Sequence, residues 1–139
     1  YSEENYKEVY PDKPHPLKNI TTPLPCHSPF GSLMIGIDGD IFPCCYIFGN
    51  QEQDRPVESF DEWVDGIKNR VESKRFNLGN IFTDDVDKIW NGKTINRIRE
   101  TIVSSMQPNK GYQQIRNEIN PNNDFDYCKM CAWRWGKIC

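Results

Sequence analysis

Residues 26–45 read CHSPFGSLMIGIDGDIFPCC, and much later residues 128–131 read CKMC. A C-x-x-C segment lets two sulfur atoms of one short loop bind the same metal centre. Two more thiolates complete the set of four that both structural zinc and iron–sulfur clusters use. The sequence therefore predicts a metal centre that joins distant parts of the chain, and we interpret the remaining residues as its scaffold.

The six cysteines divide into two preferred pairs and two alternate ligands. The pairs are Cys26 with Cys44 and Cys128 with Cys131, and the alternates are Cys45 and Cys139. Because successive side chains of an extended chain point to opposite sides, only one of the adjacent cysteines 44 and 45 is expected to face the metal. Zinc ribbons usually use two C-x-x-C knuckles, which the first pair does not form, although four thiolates in a tetrahedron would still bind zinc.

A β-hairpin is predicted between the first two cysteines. Residues 32–37 are mostly apolar and suit a strand, and the Asp38-Gly39 dipeptide that follows is typical of a hairpin turn. Residues 40–42 then return as the second strand, which Pro43 ends because it cannot donate to the ladder. The hairpin would carry Cys44 back toward Cys26.

A helix is predicted over residues 59–71. Ser59 followed by Glu62 fits a capping box, and apolar side chains then recur at helical spacing. The stripe consists of Phe60, Trp63, Val64, Ile67 and Val71. Its simplest interpretation is packing against the core.

Two further helices are expected after a glycine-containing loop at residues 77–81. Thr83 would cap a short helix that has two aspartates in its first turn and ends at Trp90. A longer helix would span residues 94–105, with three isoleucines facing inward and three basic residues facing solvent. These are Ile95, Ile98 and Ile102 on the inner face, and Lys93, Arg97 and Arg99 on the outer face. Residues 107–126 are expected to form a loop that returns the last cysteines to the hairpin.

The length of 139 residues suits a single domain, and the predicted hairpin and helices place it in the α+β class. The predicted architecture is a β-hairpin with several short helices around a four-cysteine site, at residues 26–139, preceded by a proline-rich arm or interdomain linker at residues 1–25. The net charge of −3 gives no electrostatic reason to expect nucleic acid or an anionic membrane as partner. Cysteines without a secretion signal are more often metal ligands in a reducing compartment than disulfides, so a cytoplasmic location is expected.

These motifs together resemble the SPASM and twitch domains of radical SAM enzymes. The family begins with a cysteine, nine to fifteen residues, a glycine, four residues and a second cysteine, and here Cys26, Gly39 and Cys44 stand at that spacing. The hairpin IGIDGDIFPCC at residues 35–45 is similar to the family's I-x-x-D-G-x-V-x-P-C-C. The segments LGNI at residues 78–81 and KIWN at residues 88–91 are similar to two further family segments, and CKMC closes the pattern.

The resemblance implies a specific cofactor and ligand set. Cys26, Cys44, Cys128 and Cys131 would ligate one auxiliary 4Fe–4S cluster. The two-cluster form continues the C-x-x-C with five residues, a cysteine, three residues and another cysteine. Here seven residues separate Cys131 from Cys139, so one cluster is expected, and the role of Cys139 stays open.

The resemblance also implies a role within a larger enzyme. The catalytic half of such enzymes carries a C-x-x-x-C-x-x-C motif for the cluster that cleaves S-adenosylmethionine, and this chain has no such motif. We therefore expect a C-terminal auxiliary domain that is not active alone. Its partners would be the catalytic radical SAM domain of the same parent chain and a peptide or protein substrate, and its role electron transfer or substrate positioning.

Two other readings of the same residues stay open at this stage. The first is a structural zinc module that mediates protein–protein interaction through the same cysteines. The second is nucleic-acid binding by Arg134 and Lys137 between tryptophans, which the net charge disfavours. Three aromatic residues, Trp133, Trp135 and Phe42, could shield a cluster from water or could simply pack elsewhere.

Overall fold

The computed structural model describes residues 23–49, 51–52, 55–56, 60–64, 67–71, 73–107, 110–119 and 125–136. The predicted arm at residues 1–25 lies outside these ranges except for its last three residues, and Cys139 also lies outside them. The described strands are, in chain order, β1 (Met34–Ile35), β2 (Asp40–Phe42), β3 (Gln51–Glu52), β4 (Arg55–Pro56), β5 (Phe60–Val64), β6 (Ile67–Val71) and β7 (Gly79–Asn80).

The described helices are short, and α4 is the longest of them. They are α1 (Ser28–Gly31), α2 (Cys45–Gly49), α3 (Val86–Trp90), α4 (Lys93–Ser104), α5 (Tyr112–Asn117) and α6 (Tyr127–Met130). Two 3-10 turns, at Ser73–Phe76 and Ala132–Trp135, complete the described elements. None of these helices is both long enough and apolar enough to cross a membrane. The predicted α+β class is confirmed.

The predicted hairpin, β1 with β2, belongs to a three-stranded antiparallel sheet with the order β1-β2-β7, in which β2 is the central strand. Met34 pairs with Phe42, and Asp40 pairs with Asn80 on the other side. The turn closes when the Gly36 N–H donates to the Asp40 carbonyl at 2.8 Å. The first strand is shorter than the predicted residues 32–37, but the turn and the direction of the hairpin are confirmed. This sheet positions the end of β2, and Cys44 follows after Pro43.

The predicted helix over residues 59–71 is wrong, because β5 and β6 form a second antiparallel hairpin there. Phe60 pairs with Val71, and Val64 pairs with Ile67. The two residues between the strands in sequence are Asp65-Gly66, the same dipeptide that marks the first hairpin. The apolar residues are β-branched or aromatic and fit a strand as well as a helix, and a glycine within the helix would destabilise it. The hairpin signal therefore outweighed the helical spacing.

The helices predicted after the loop at residues 77–81 are both present, with one corrected cap. Asp85, and not Thr83, caps α3, because its carboxylate accepts a hydrogen bond from the Asp87 N–H at 3.0 Å. In α4 the three isoleucines Ile95, Ile98 and Ile102 are buried as predicted. The loop itself is interrupted by β7, in which Gly79 pairs with Ile41 of β2.

Arg99 does not lie on the solvated side of α4 as predicted. Its Nε atom donates to the Pro29 carbonyl at 2.7 Å, and its Nη1 atom donates to the Trp90 carbonyl at 2.9 Å. The guanidinium carbon also lies 4.3 Å from the centre of the Trp90 ring. Arg99 thus fastens α1, which follows Cys26, to the helix pair α3 and α4.

The segment at residues 107–126 is not one continuous loop, because α5 lies within it. Tyr112 and Ile115 are one helical turn apart and both are buried. The Gly111 N–H donates to the Gln114 side-chain oxygen at 3.0 Å, which stabilises the start of the helix. The sequence did not indicate this helix, because most residues of the segment are polar and the helix buries only one narrow face.

The core has two centres. The larger cluster contains buried side chains from β2, α2, the first 3-10 turn, α4 and the C-terminal segment, namely Phe42, Ile47, Phe76, Ile98, Ile102 and Phe125. The smaller cluster joins α5 to the last 3-10 turn through Tyr112, Ile115, Ala132 and Trp135. Three cysteines, at positions 26, 44 and 128, pack against the larger cluster.

Two glycines of the central sheet are expected to be intolerant of any side chain. Gly39 has φ +84°, and Gly79 has φ +143°, where a Cβ atom would also lie 2.8 Å from the Asp84 carboxylate. We expect Gly39→Ala and Gly79→Ala each to lower the free energy of unfolding by about 1–3 kcal/mol, measured by chemical denaturation. Gly31→Ala is the control, because no atom lies within 4 Å of its Cβ position. Equal stability of all three variants would contradict this account.

Candidate metal centre

Four cysteines from three separate segments line one cavity. They are Cys26, Cys44, Cys128 and Cys131, the two preferred pairs of the sequence analysis. The other lining residues are apolar apart from Tyr127 and Arg134, and include Pro29, Ile47, Ile98 and Ile102. The tertiary structure therefore brings the predicted set together. Which of these thiols bind a metal stays a prediction.

Local structure explains how each of the first two thiols reaches the cavity. Cys26 precedes α1, whose Pro29 is buried and whose position is held by Arg99. Cys44 stands between the end of β2 and the start of α2, where its carbonyl accepts a hydrogen bond from the Phe48 N–H at 3.2 Å. The Ile47 N–H donates to the Cys44 Sγ atom at 3.5 Å. The beginning of α2 thus orients both the backbone and the sulfur of Cys44.

The C-x-x-C pair lies on α6 and at its end. The Cys128 N–H donates to the Phe125 carbonyl at 2.9 Å, and the Cys131 carbonyl accepts a hydrogen bond from the Arg134 N–H at 3.0 Å. Cys131 leaves the helix with φ −46° and ψ 122°. This change of backbone direction accompanies the turn from α6 into the last 3-10 turn.

The alternate ligands are placed differently. Cys45 begins α2 and is exposed to solvent, whereas its neighbour Cys44 lines the cavity. Cys139 lies outside the described residues. No disulfide joins any of the described cysteines.

The four thiols do not form a tight single-ion site. Within the described ranges, no three His, Cys, Asp or Glu side chains approach closely enough to share one metal ion. Thiolates around one zinc ion lie about 3.8 Å apart, because each Zn–S distance is about 2.3 Å in a tetrahedron. A 4Fe–4S cubane binds each thiolate through a different iron atom and therefore keeps its ligands farther apart. The four thiolates of a cluster therefore lie farther apart than those around one zinc ion.

Burial disfavours the ionised, thiolate forms of Cys44 and Cys128. Burial raises the pKa of Cys44 from the ordinary value of 9.0 to about 12. The hydrogen bond from the Ile47 N–H acts in the opposite direction, and repulsion from the Cys131 and Cys26 thiolates raises the pKa further. Burial likewise raises the pKa of Cys128 well above its ordinary range, and the other three thiolates add to the effect. Because metals bind thiolates, loading this cavity must release protons.

The model of the SPASM iron–sulfur cluster-binding domain matches residues 26–132. The match begins at Cys26 and includes the C-x-x-C pair, and it covers most of the chain. This chain belongs to the SPASM family. The predicted resemblance is confirmed, and the domain is an iron–sulfur cluster-binding domain. No match to the chain was found among curated proteins or among solved structures.

Arg134 is a residue of the SPASM site whose position the sequence did not indicate. It is only 1% exposed, it lines the thiol cavity, and its burial makes it unavailable for the surface contact with nucleic acid considered above. Burial lowers the pKa of Arg134, whereas the Cys128, Cys26 and Cys131 thiolates raise it. Arginines are seldom fully buried, so nothing in its local sequence signalled this position. Lys137, the other basic residue considered, lies outside the described residues.

The three aromatic residues that could shield a cluster occupy different environments in the SPASM domain. Phe42 is buried in the larger core cluster, against which Cys26 and Cys44 pack. Trp135 is buried in the smaller cluster, and Trp133 is 48% exposed. Of these three aromatic residues, Phe42 therefore belongs to the core cluster against which cysteines of the site pack.

Proposed function

We propose that this SPASM domain holds one 4Fe–4S cluster through Cys26, Cys44, Cys128 and Cys131. In this proposal it is the auxiliary-cluster domain of a radical SAM enzyme that modifies a peptide or protein. The observation that carries the proposal is the single apolar cavity into which three distant segments bring four thiols. Soft thiolate donors without carboxylates or histidines suit iron–sulfur clusters.

The residues around the thiols would exclude water from the site and influence the reduction potential of a bound cluster. Pro29, Pro43 and the isoleucines of α4 wall the cavity with apolar surface. The Ile47 N–H donates to Cys44 Sγ at 3.5 Å, and such a hydrogen bond stabilises the thiolate form. A bound cluster supplies one-electron transfer, whose potential depends on burial, charge and hydrogen bonds to sulfur.

The wider role follows from family membership and from the motifs of the chain. SPASM domains typically belong to radical SAM enzymes, and this chain contains no C-x-x-x-C-x-x-C motif. The cleavage of S-adenosylmethionine would therefore reside in a catalytic domain of the parent protein, which is the first proposed partner. The peptide or protein substrate is the second, and the cluster would pass electrons near it or help to position it. A reducing, cytoplasmic compartment would keep the thiols available.

Anaerobic reconstitution with iron, sulfide and zinc all present tests the cofactor. We expect about four iron and four sulfide per chain, with an absorption spectrum that bleaches on reduction and recovers on oxidation. A chain that takes up zinc and no iron would overturn the proposal, and the domain would then be a structural zinc module. A cluster that cannot be reduced reversibly would leave binding intact but would contradict the electron-transfer role.

A further inference from the structure

We propose that Arg134 is a positioning residue for the cluster, placing a fixed positive charge beside the four thiolates and joining the two halves of the ligand set. The inference rests on the proposed function, because the charge has its purpose only when the thiols are ionised by a bound cluster. It concerns a residue outside the cysteine motif.

In the described part of the chain, the Arg134 guanidinium forms hydrogen bonds to carbonyl and hydroxyl oxygens but no ion pair with a carboxylate. Nε donates to the Leu24 carbonyl at 2.8 Å, and Nη1 donates to the Cys128 carbonyl and to Ser105 Oγ, both at 2.7 Å. Nη2 makes a longer contact of 3.4 Å with the Ile102 carbonyl. These oxygens accept from four of the five guanidinium N–H groups but supply no negative charge.

A buried cation without an opposite charge is costly, so Arg134 needs a counter-charge in its surroundings. The cavity that it lines contains the four thiols. A 4Fe–4S core with four thiolates is anionic, and reduction adds one more negative charge. The loaded site would therefore supply the missing negative charge, and Arg134 would favour the reduced state of the cluster over the oxidised state.

Arg134 also connects the segments that carry the ligands. Its backbone carbonyl accepts a hydrogen bond from the Leu24 N–H at 2.6 Å, while its side chain donates back to the Leu24 carbonyl. Leu24 stands two residues before Cys26, and the same guanidinium holds the carbonyl of Cys128. Contacts with Ile102 and Ser105 add the end of α4. One side chain thus joins the first ligand, the C-x-x-C pair and the main helix.

The test compares the reduction potentials of Arg134→Gln and Arg134→Lys after anaerobic loading. We expect Arg134→Gln to shift the equilibrium between oxidised and reduced cluster at least tenfold toward the oxidised form, about 59 mV for a one-electron couple. Arg134→Lys keeps the charge but loses the planar set of guanidinium N–H donors. The reduction potential of this variant should stay near that of the unsubstituted domain, while its stability falls. Arg97→Gln is the control, because that arginine is exposed on α4 and does not line the cavity.

A second measurement covers the case in which Arg134→Gln does not fold. In Arg134→Lys the ammonium can lose its proton at high pH, whereas an arginine cannot. The potential of that variant should fall as the pH rises, beyond any change seen in the unsubstituted domain. The four cysteines are the titratable groups lining the cavity with residue 134, apart from Tyr127, and the cluster holds them deprotonated.

The outcomes separate this inference from the proposed function. A domain that loads iron but shows the same potential with arginine, lysine and glutamine at position 134 would make the residue purely structural and overturn the inference alone. Potentials of Arg134→Lys that are equal at neutral and high pH, and equal to that of the unsubstituted domain, would overturn it in the same way. Failure of the unsubstituted domain to load iron would overturn both.

Discussion

Alanine at any one of Cys26, Cys44, Cys128 or Cys131 is expected to remove most of the iron and sulfide that the domain retains after reconstitution. The surrounding walls explain the size of the effect. Apart from the remaining thiols, the cavity is lined by prolines, isoleucines, Tyr127 and Arg134, and none of these is a customary ligand of iron–sulfur clusters. Iron and sulfide per folded chain, with the absorption spectrum, are the measurements.

The adjacent cysteine at position 45 provides a matched control. Cys45 is exposed and Cys44 lines the cavity, although the two residues are neighbours in sequence. Cys45→Ala should therefore keep its full cluster, while Cys44→Ala should lose it. The reverse result would mean that β2 ends differently in the loaded protein and would contradict the ligand assignment. Cys139→Ala tests the remaining alternate, which lies outside the described residues.

Trp135→Ala should lower the free energy of unfolding by about 3–5 kcal/mol, the range usual for truncating a buried aromatic side chain. Trp135 is 1% exposed and its ring meets Tyr112 edge-on with centroids 5.5 Å apart. Its indole N–H also donates to the Lys129 carbonyl at 2.9 Å, within the C-x-x-C loop. The substitution removes the ring contact and leaves that carbonyl without this donor, as measured by chemical denaturation of the metal-free domain.

Trp133→Ala is the natural comparison, because the two tryptophans share one 3-10 turn. Trp133 is 48% exposed, so its loss should change stability by about 0.5 kcal/mol or less. Trp135→Phe should fall between the two, since it keeps an aromatic ring but not the N–H group. Similar losses for Trp133→Ala and Trp135→Ala would contradict the assignment of Trp135 to the smaller core cluster.

Short-range signals in the sequence predicted the central part of the fold. Asp38-Gly39 predicted the hairpin because a left-handed turn needs a residue such as glycine, and Gly39 has φ +84°. Isoleucines at helical spacing predicted α4 because the residues of one helix face are three or four positions apart. Cysteine spacing identified the candidate ligand set. Each of these signals acts within a few residues or through a residue type with few alternative roles.

The incorrect secondary-structure predictions arose where one local sequence pattern was compatible with two structures. Apolar residues at positions 60, 63, 64, 67 and 71 fit the spacing of a helix, but the same side chains suit two strands that pair across Asp65-Gly66. Residues 107–126 appeared to be a loop because α5 buries only Tyr112 and Ile115. In the first segment the Asp65-Gly66 dipeptide was a local signal for the hairpin, whereas in the second the small core cluster joins residues that are distant in sequence.

The sequence by itself determined the hairpin, the main helix, the set of candidate thiols and the family. Only the tertiary structure decided that Cys44 lines the cavity while Cys45 faces solvent, that Arg134 is buried, and that Arg99 donates to the Pro29 and Trp90 carbonyls. Arg134 bonds to Leu24, which is 110 positions away in sequence. The burial of a polar side chain depends on which distant carbonyls and thiols surround it, and those neighbours are known only once the chain has folded.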